Sequence, residues 1–201
     1  QEAGFEGALH PINPKHDAVF GEACYPDLEA LGRPVDMAVV ATPAETVPEI
    51  IRSAGENGVA VAVIMTAGFG EAGSKGKRLE HEVLEYAGYY GIRILGPNCL
   101  GLIRPVSGLN ATFSNHSAEK GNLALVSQSG ALCTAILDWA RPHRVGFSAV
   151  VSLGDAADVD FGELLDYLAL DPETSSILLY VEGIREARRF MSGLRIAARM
   201  K

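Results

Sequence analysis

The chain has 201 residues, 48% of them hydrophobic and 21% charged, which suits one larger globular domain or two small ones and excludes a disordered or fibrous protein. Its formal net charge of −8 repels the phosphate backbones of DNA and RNA, so we expect no nucleic-acid partner. The apolar runs are too short to cross a bilayer, no signal peptide is visible, and the three cysteines lie far apart, so we expect a cytoplasmic protein with no membrane partner.

Apolar strands alternate with amphipathic helices through the first half of the chain. We predict strands at 8–14, 35–41, 59–65 and 92–95, and helices at 42–57 and 75–90. Continuous apolar strands separated by helices are typical of a parallel sheet that is covered on both faces. A doubly wound nucleotide fold normally begins with a strand, a glycine-rich turn and a helix before this point. We expect that unit to be missing, although a smaller sheet that never had it is the alternative.

The alternation breaks off between Gly96 and Lys120, where glycine and proline are frequent, and then restarts. We predict strands at 122–126, 146–151 and 176–181, and helices at 130–140, 161–170 and 185–201. The overall prediction is an α/β protein of two domains. Residues 1–105 form an N-terminally truncated Rossmann-like domain, 106–119 a linker, and 120–201 a flavodoxin-like domain that we expect to be incomplete at its C-terminus.

The ends of the strands are the candidate binding positions, because open parallel sheets bind ligands beyond the carboxyl ends of their strands. Four such ends in the first domain combine small residues with a polar group, so that a ligand can approach the backbone closely: 13–15, 41–44, 66–70 and 96–99. Lys15 is the only cation among them. It either meets a phosphate as a point charge or is a solvated loop lysine.

A second candidate position follows the strand that ends at Val126. The sequence Ser127-Gln128-Ser129-Gly130 leads into a helix, where Ser129 is suited to cap the first turn. The free N–H groups and the dipole of such a helix start favour an anion, but an ordinary cap fits the same residues.

The carboxylates of Asp155, Asp158 and Asp160 form a third polar group. They lack the full signature of a calcium loop and its closing glutamate, so we expect no metal site. We predict instead a loop that caps the helix beginning at Phe161 and helps to form a domain or subunit interface.

Seven motifs, in this order and spacing, resemble the NDP-forming acyl-CoA synthetases, the family that includes the succinyl-CoA synthetase α subunit. Those similar to its CoA-binding domain are PINPKH, VVATPAETV, IMTAGFGE and ILGPNCLG. Those similar to its next domain are GNLALVSQSGAL, GFSAVVSLGDAADVD and ILLYVEGI. The stretches LNATFS, ILDWA and ARRFMS are similar to a branch of protein lysine acetyltransferases with a synthetase-like body, whose close relatives are ADP-forming acetyl-CoA synthetases. Both branches stay open.

The resemblance implies a site for CoA or acetyl-CoA in the first domain. It places Lys15 near a phosphate of CoA, and it implies that the nucleotide is lined by Thr42, Pro43 and Ala44. The pantetheine path would be flanked by Thr66, Ala67 and Gly68. Asn98 and Cys99 would lie near the thiol end, although a buried apolar role is the more ordinary one for Cys99.

The resemblance also implies a phosphate site of Ser127, Ser129 and Gly130, which faces a phosphate carried by a histidine. Glu182 matches the glutamate that holds this histidine. The histidine, the ATP-grasp domain or subunit that uses ATP and Mg²⁺, and any acetyltransferase domain are expected outside these residues. We therefore expect an oligomeric assembly and no turnover by this chain alone.

Three functions remain as hypotheses at this point. The resemblance favours formation of an acyl-CoA from an acid, CoA and ATP through an acyl phosphate and a phosphohistidine. The alternative is the regulatory body of an acetyl-CoA-dependent lysine acetyltransferase, which senses acyl-CoA without ligase activity. A dinucleotide-dependent oxidoreductase is disfavoured, because no acidic residue follows a glycine-rich turn to hold a ribose.

Overall fold

The structure, a computed structural model, describes residues 4–201. The first three residues of the predicted first domain therefore lie outside the described part of the chain. The strands are β1 (Ala18–Val19), β2 (Glu22–Ala23), β3 (Met37–Val40), β4 (Val61–Ile64), β5 (Arg93–Leu95), β6 (Gly101–Arg104), β7 (Leu109–Thr112), β8 (Lys120–Ser127), β9 (Phe147–Ser152) and β10 (Ser176–Tyr180). The helices are α1 (Leu28–Leu31), α2 (Val47–Glu56), α3 (Gly73–Tyr90), α4 (Gly130–Ala140), α5 (Phe161–Leu170) and α6 (Ala187–Met200). The predicted α/β alternation is confirmed.

The first sheet has three parallel strands in the order β3-β4-β5. Helix α2 buries Val47, Ile51 and Ala54, whose spacing of four and three residues places them on one helical face over the strands. Helix α3 comes close to the loop after β4, since a Cβ built on Gly76 would lie 1.8 Å from the carbonyl oxygen of Phe69. Glycine at this position lets the helix press against the strand-end loop.

Two predictions for the first domain need correction. The segment 8–14 is not a strand, because only Ile12 makes an isolated parallel bridge, with Tyr25. The helix predicted from Thr42 begins at Val47 instead, with Pro48 in its first turn and a short 3₁₀ turn at Ala44–Thr46 before it. The strand-end loop is therefore longer than predicted and leaves Thr42 free of helical hydrogen bonding.

The second sheet has five strands in the order β10-β8-β9-β6-β7. Strands β10, β8 and β9 run parallel, and the hairpin β6–β7 adds antiparallel to β9. The predicted linker 106–119 contains β7, and β6 joins the second sheet although it precedes the predicted boundary. The turn of this hairpin uses Gly108, whose φ of 66° suits glycine.

The two sheets are joined along the free edge of β5. The backbone N–H groups of Asp155, Ala157 and Val159 donate to the carbonyl oxygens of Pro97, Gly96 and Ile94, at 3.0, 3.0 and 3.1 Å. This pairing attaches the loop after β9 to the open edge of the first sheet. The carboxyl ends of both sheets therefore face a common region.

Side chains of the same loop hold this interface and cap α5. Asp158 accepts from the backbone N–H of Ile94 and from the guanidinium of Arg93. Asp160 Oδ1 accepts from the backbone N–H of Glu163, at 2.9 Å, as the N-cap of α5. Both results confirm the predicted capping and interface role of this carboxylate run. Within residues 4–201, no helix combines the length and the apolarity needed to span a bilayer.

Candidate functional site

The loops after β3, β4 and β5 are tied together by hydrogen bonds. Thr66 Oγ1 donates to the carbonyl oxygen of Thr42 at 2.7 Å, and the backbone N–H of Asn98 donates to the carbonyl oxygen of Thr66 at 2.9 Å. Gly68 has a φ of 107°, and a Cβ built on it would lie 3.1 Å from the Cβ of Ala44. The structure thus brings Thr42, Ala44, Thr66, Gly68 and Asn98 into one connected group.

Three other predicted CoA-site residues lie at the surface. Pro43 and Ala67 are exposed members of these same loops. Lys15 is exposed in the segment before β1, where its backbone N–H donates to Asn13 Oδ1 at 2.9 Å. Among the described residues, no hydrogen bond or ion pair links Lys15 to the strand-end loops. Its contact with a phosphate stays a prediction.

The side chain of Cys99 is turned into the core. Its side chain is buried, and Sγ lies 3.3 Å from the carbonyl oxygen of Ile64. Burial raises the pKa of this thiol to about 12, so it remains neutral at physiological pH. The buried apolar role of Cys99 is confirmed, because the loop turns its side chain into the core, and the place of Cys99 near the CoA thiol stays a prediction.

The residues predicted to bind phosphate at the start of α4 differ in their surroundings. Ser127 is fully buried, and its hydroxyl donates to the carbonyl oxygen of Ser129 and accepts from the backbone N–H of Ser129, at 2.9 and 3.0 Å. The hydroxyl of Ser127 is therefore hydrogen-bonded within the turn that follows β8, and its contact with phosphate stays a prediction.

Ser129 and Gly130 are better placed for an anion. Ser129 Oγ accepts from the backbone N–H of Leu132 at 3.3 Å, which confirms the predicted N-cap. The backbone N–H of Gly130 has no acceptor among the described residues. A free N–H group of the first helical turn and a capping hydroxyl are the donors that anions meet at helix starts.

Gln128 is a residue that the sequence analysis left without a role. Its side-chain Oε1 accepts from the backbone N–H groups of Glu182 and Gly183, at 2.7 and 2.9 Å. Its own backbone N–H donates to the carbonyl oxygen of Tyr180 at 3.2 Å. Its place in the strand-to-helix turn of the motif SQSG was the only signal in the sequence. Gln128 connects the start of α4 to the loop after β10.

An open cleft of about 590 Å³ lies where the strand ends of the two sheets meet. Its ionisable lining consists of the carboxylates of Glu71, Glu80, Asp155 and Glu182 and the basic side chains of Lys77, His81 and Arg185. Gln128 lines it as well. The first domain contributes the loop after β4 and helix α3, and the second contributes the ends of β8, β9 and β10. Glu182, predicted from the sequence, therefore lies in an interdomain cleft.

Asp155 is the most strongly perturbed carboxyl group of the cleft. Burial, followed by the negative charges of Glu71 and Glu80, raises its pKa to about 6, although Asn98 Nδ2 donates to its Oδ1 at 3.2 Å. Burial also favours the neutral form of Glu71, but N–H groups of Gly68 and Phe69 donate to its carboxylate and hold its pKa below the usual value. Of these two neighbouring carboxyl groups, Asp155 is therefore the first to take up a proton as the pH falls.

We expect the free energy of unfolding to fall less steeply with rising pH in the Asp155→Asn variant than in the wild type. The folded-state pKa of Asp155 lies above the unfolded value near 3.9, so its favourable contribution is present below about pH 4 and is lost as pH rises through about 6. Urea unfolding at pH 5 and pH 8 measures this. The exposed Asp36→Asn variant is the control and should keep the wild-type decline. An equal decline in Asp155→Asn and wild type would contradict the raised pKa.

Two family models match the chain in succession. A model described as a CoA binding domain matches residues 2–105. A model described as a succinyl-CoA ligase like flavodoxin domain matches residues 120–201. Together they cover nearly all of the chain.

Similar proteins of known name are considerably longer. The acetate–CoA ligase [ADP-forming] I of Archaeoglobus fulgidus is 44% identical over 98% of this chain and 29% of its own length. The acetate–CoA ligase [ADP-forming] I subunit alpha of Pyrococcus furiosus is 42% identical over 94% of this chain and 42% of its own length. The chain thus spans less than half of either relative.

A solved structure shows the same fold over the whole chain. The dinucleotide forming acetyl-coenzyme A synthetase 1 of Ca. Korarchaeum cryptofilum superposes with a TM-score of 0.94 at 39% sequence identity. The match covers 100% of this chain and 44% of that protein. The Rossmann-like and flavodoxin-like domains predicted from the sequence are confirmed by this match and by the two family models.

Proposed function

The chain belongs to the NDP-forming acyl-CoA synthetases, and we propose on that basis that it is the CoA-binding part of a ligase that makes acyl-CoA from a carboxylic acid, CoA and ATP. One structural observation carries the proposal. Loops that follow strands of both sheets line one interdomain cleft, which contains Glu182 and Gln128, the residue before the N-cap of α4, and Asn98 of the connected loops donates to Asp155 in that cleft. A CoA site and a phosphate site of one reaction require this proximity.

CoA would bind along the loops of the first sheet. Ala44 and Gly68 leave little side-chain bulk there, so a long thin chain such as pantetheine can lie against the backbone. Exposed Pro43 and Ala67 offer apolar contact, and Asn98 offers an amide at the cleft end of the path. Lys15 would supply the positive charge for a CoA phosphate.

The acyl-transfer step would take place in the cleft. The thiol sulfur of CoA attacks the carbonyl carbon of an acyl phosphate, a C–S bond forms, and the C–O bond to phosphate breaks. The departing phosphate takes the electron pair and the thiol proton, so that it leaves as hydrogen phosphate. Ser129 Oγ–H and the N–H of Gly130 would hold the phosphate oxygens. Before that step, an imidazole would take the phosphoryl group from ATP and pass it to the carboxylate of the acid, which gives the acyl phosphate. Glu182 would accept a hydrogen bond from this imidazole and fix its orientation.

ATP and Mg²⁺ would bind to an ATP-grasp domain or subunit, with which this chain would form an oligomer. We propose acetate as the acid, because the names of two ligases similar to this chain specify it. The relatives compared are ligases and a synthetase, so they give no support to the acetyltransferase alternative.

We expect Thr66→Val to weaken CoA binding by the full-length protein by roughly two- to tenfold, the worth of one hydrogen bond. The substitution keeps the side-chain shape but removes the bond to the carbonyl oxygen of Thr42, which connects two loops of the proposed path. Isothermal calorimetry with CoA measures the affinity. Thr112→Val, which loses a hydroxyl bond to Asn110 in β7, is the matched control and should bind as wild type. If the wild-type protein does not bind CoA, the proposed CoA site is wrong. If Thr66→Val binds CoA with the wild-type affinity, the proposed location of the site is wrong.

A further inference from the structure

Two neighbouring backbone N–H groups in the loop after β10 depend on one side chain for their hydrogen bonds. Residues 181–186 are all exposed, and the N–H groups of Glu182 and Gly183 both donate to Gln128 Oε1, at 2.7 and 2.9 Å. Two further contacts of this loop lie within the described residues: the carbonyl oxygen of Glu186 accepts from the backbone N–H of Phe190 at 3.0 Å, and Arg185 contacts Glu80 at 3.5 Å. The amide oxygen of Gln128 therefore determines where the backbone of Glu182 lies.

The position of Gln128 connects this hydrogen bonding to the cleft. Gln128 immediately precedes Ser129, the N-cap of α4, and its backbone is held by Tyr180 through the N–H bond at 3.2 Å. Its side chain thus spans from the helix start to the loop that carries Glu182. Two N–H donors on one oxygen use both of its lone pairs and fix the direction of the amide plane.

We infer that Gln128 is a positioning residue, which sets the carboxylate of Glu182 at the correct distance from the Ser129–Gly130 helix start. The inference rests on the proposed function, since Glu182 and the helix start are the two sides of its phosphate site. Gln128 acts through the backbone of Glu182 in this scheme and is assigned no contact with the reacting atoms. Supporting residues of this kind change rates because the groups they orient must be held within fractions of an ångström.

The test uses the full-length protein with its ATP-grasp partner, and Gln128→Leu removes the acceptor oxygen while it keeps the approximate side-chain volume. The kcat for ADP release from ATP, acetate and CoA should fall about 10- to 100-fold, the range known for residues that orient a reacting group. The KM for CoA should stay at the wild-type value, because the loops of the first sheet are unchanged. The thermal midpoint should change little, since both abandoned N–H groups are exposed to water.

A double-mutant cycle with Glu182→Gln separates positioning from general damage. If Gln128 acts only through Glu182, Gln128→Leu costs little further rate in the Glu182→Gln background. Asn57→Leu, which loses an amide bond to the carbonyl oxygen of Ser53 at the end of α2, is the matched control and should keep wild-type kcat.

Each contrary outcome identifies what has failed. If Glu182→Gln lowers kcat but Gln128→Leu does not, or if their effects multiply, the inference on Gln128 is wrong and the proposed function stands. If Glu182→Gln itself keeps wild-type kcat, the proposed role of Glu182 fails and the inference falls with it. A raised KM for CoA with unchanged kcat in Gln128→Leu would also overturn positioning.

Discussion

Replacing Glu182 with glutamine should lower acyl-CoA formation by the full-length protein by about a hundredfold or more, the scale seen when a group that orients a catalytic imidazole is lost. Glutamine keeps the size of the side chain but presents a neutral amide, which neither stabilises a cationic imidazole nor fixes its tautomer. ADP release in the presence of acetate, CoA and ATP measures the rate. The affinity for CoA should not change, because Glu182 lies in the cleft and not on the loops of the first sheet.

Glu186→Gln is the matched control for this prediction. Glu186 is an exposed glutamate four residues further on, and its carboxylate makes no capping hydrogen bond at the start of α6. The control should keep the wild-type rate and the wild-type level of radiolabelled phosphoenzyme formed from ATP. A Glu182→Gln variant with wild-type rate and phosphoenzyme level would remove Glu182 from the mechanism.

The second large effect concerns stability, and we expect Arg104→Met to destabilise the fold by about 3–5 kcal/mol at pH 7. Both terminal nitrogens of Arg104 donate to the Asp171 carboxylate at 2.7 Å, and one also donates to the carbonyl oxygen of Ser148 at 3.1 Å. The side chain of Asp171 is only 3% exposed, so removal of the guanidinium leaves a buried carboxylate without its counter-charge. Urea unfolding followed by circular dichroism gives the change in unfolding free energy.

The effect should depend on pH in a defined direction. Hydrogen bonds from Arg104 lower the pKa of Asp171 to about 2, so the stabilisation is present above the unfolded value near 3.9 and fades as pH falls toward 2. The difference between wild type and Arg104→Met should therefore be smaller at pH 3 than at pH 7. Arg52→Met, which loses ion pairs with Glu49 and Glu56 on the surface of α2, should cost far less. Equal losses in the two variants would contradict the importance of the buried pair.

Sequence patterns were sufficient for the order of the longer elements, from β3 to β5 and from β8 to α6, and for the positions where these strands end. Continuous apolar runs predict β4 and β9, and the cap residues Ser129 and Asp160 begin α4 and α5 as expected. These features depend on neighbours within a few residues, and the chemistry of such short stretches can be read directly. The motif order, which pointed to the family, also depends on local residues.

The hairpin β6–β7 shows where local patterns fail. Its strands have four residues each, too short for a periodicity to stand out, and β6 finds its second partner in β9, where Leu102 pairs with Val151. Strand β6 lies in the range predicted for the first domain and β7 in the predicted linker, and only long-range pairing makes the hairpin the edge of the second sheet.

The candidate site was likewise decided by tertiary contacts. Gln128 contacts Glu182 across 54 residues, and Asn98 contacts Asp155 across 57, so no local pattern reveals either pair. The inward turn of Cys99 and Ser127 follows from the same long-range packing. Local chemistry determines which loops carry small and polar residues, whereas the docking of one sheet edge against the other domain's loop decides which of their side chains face the cleft.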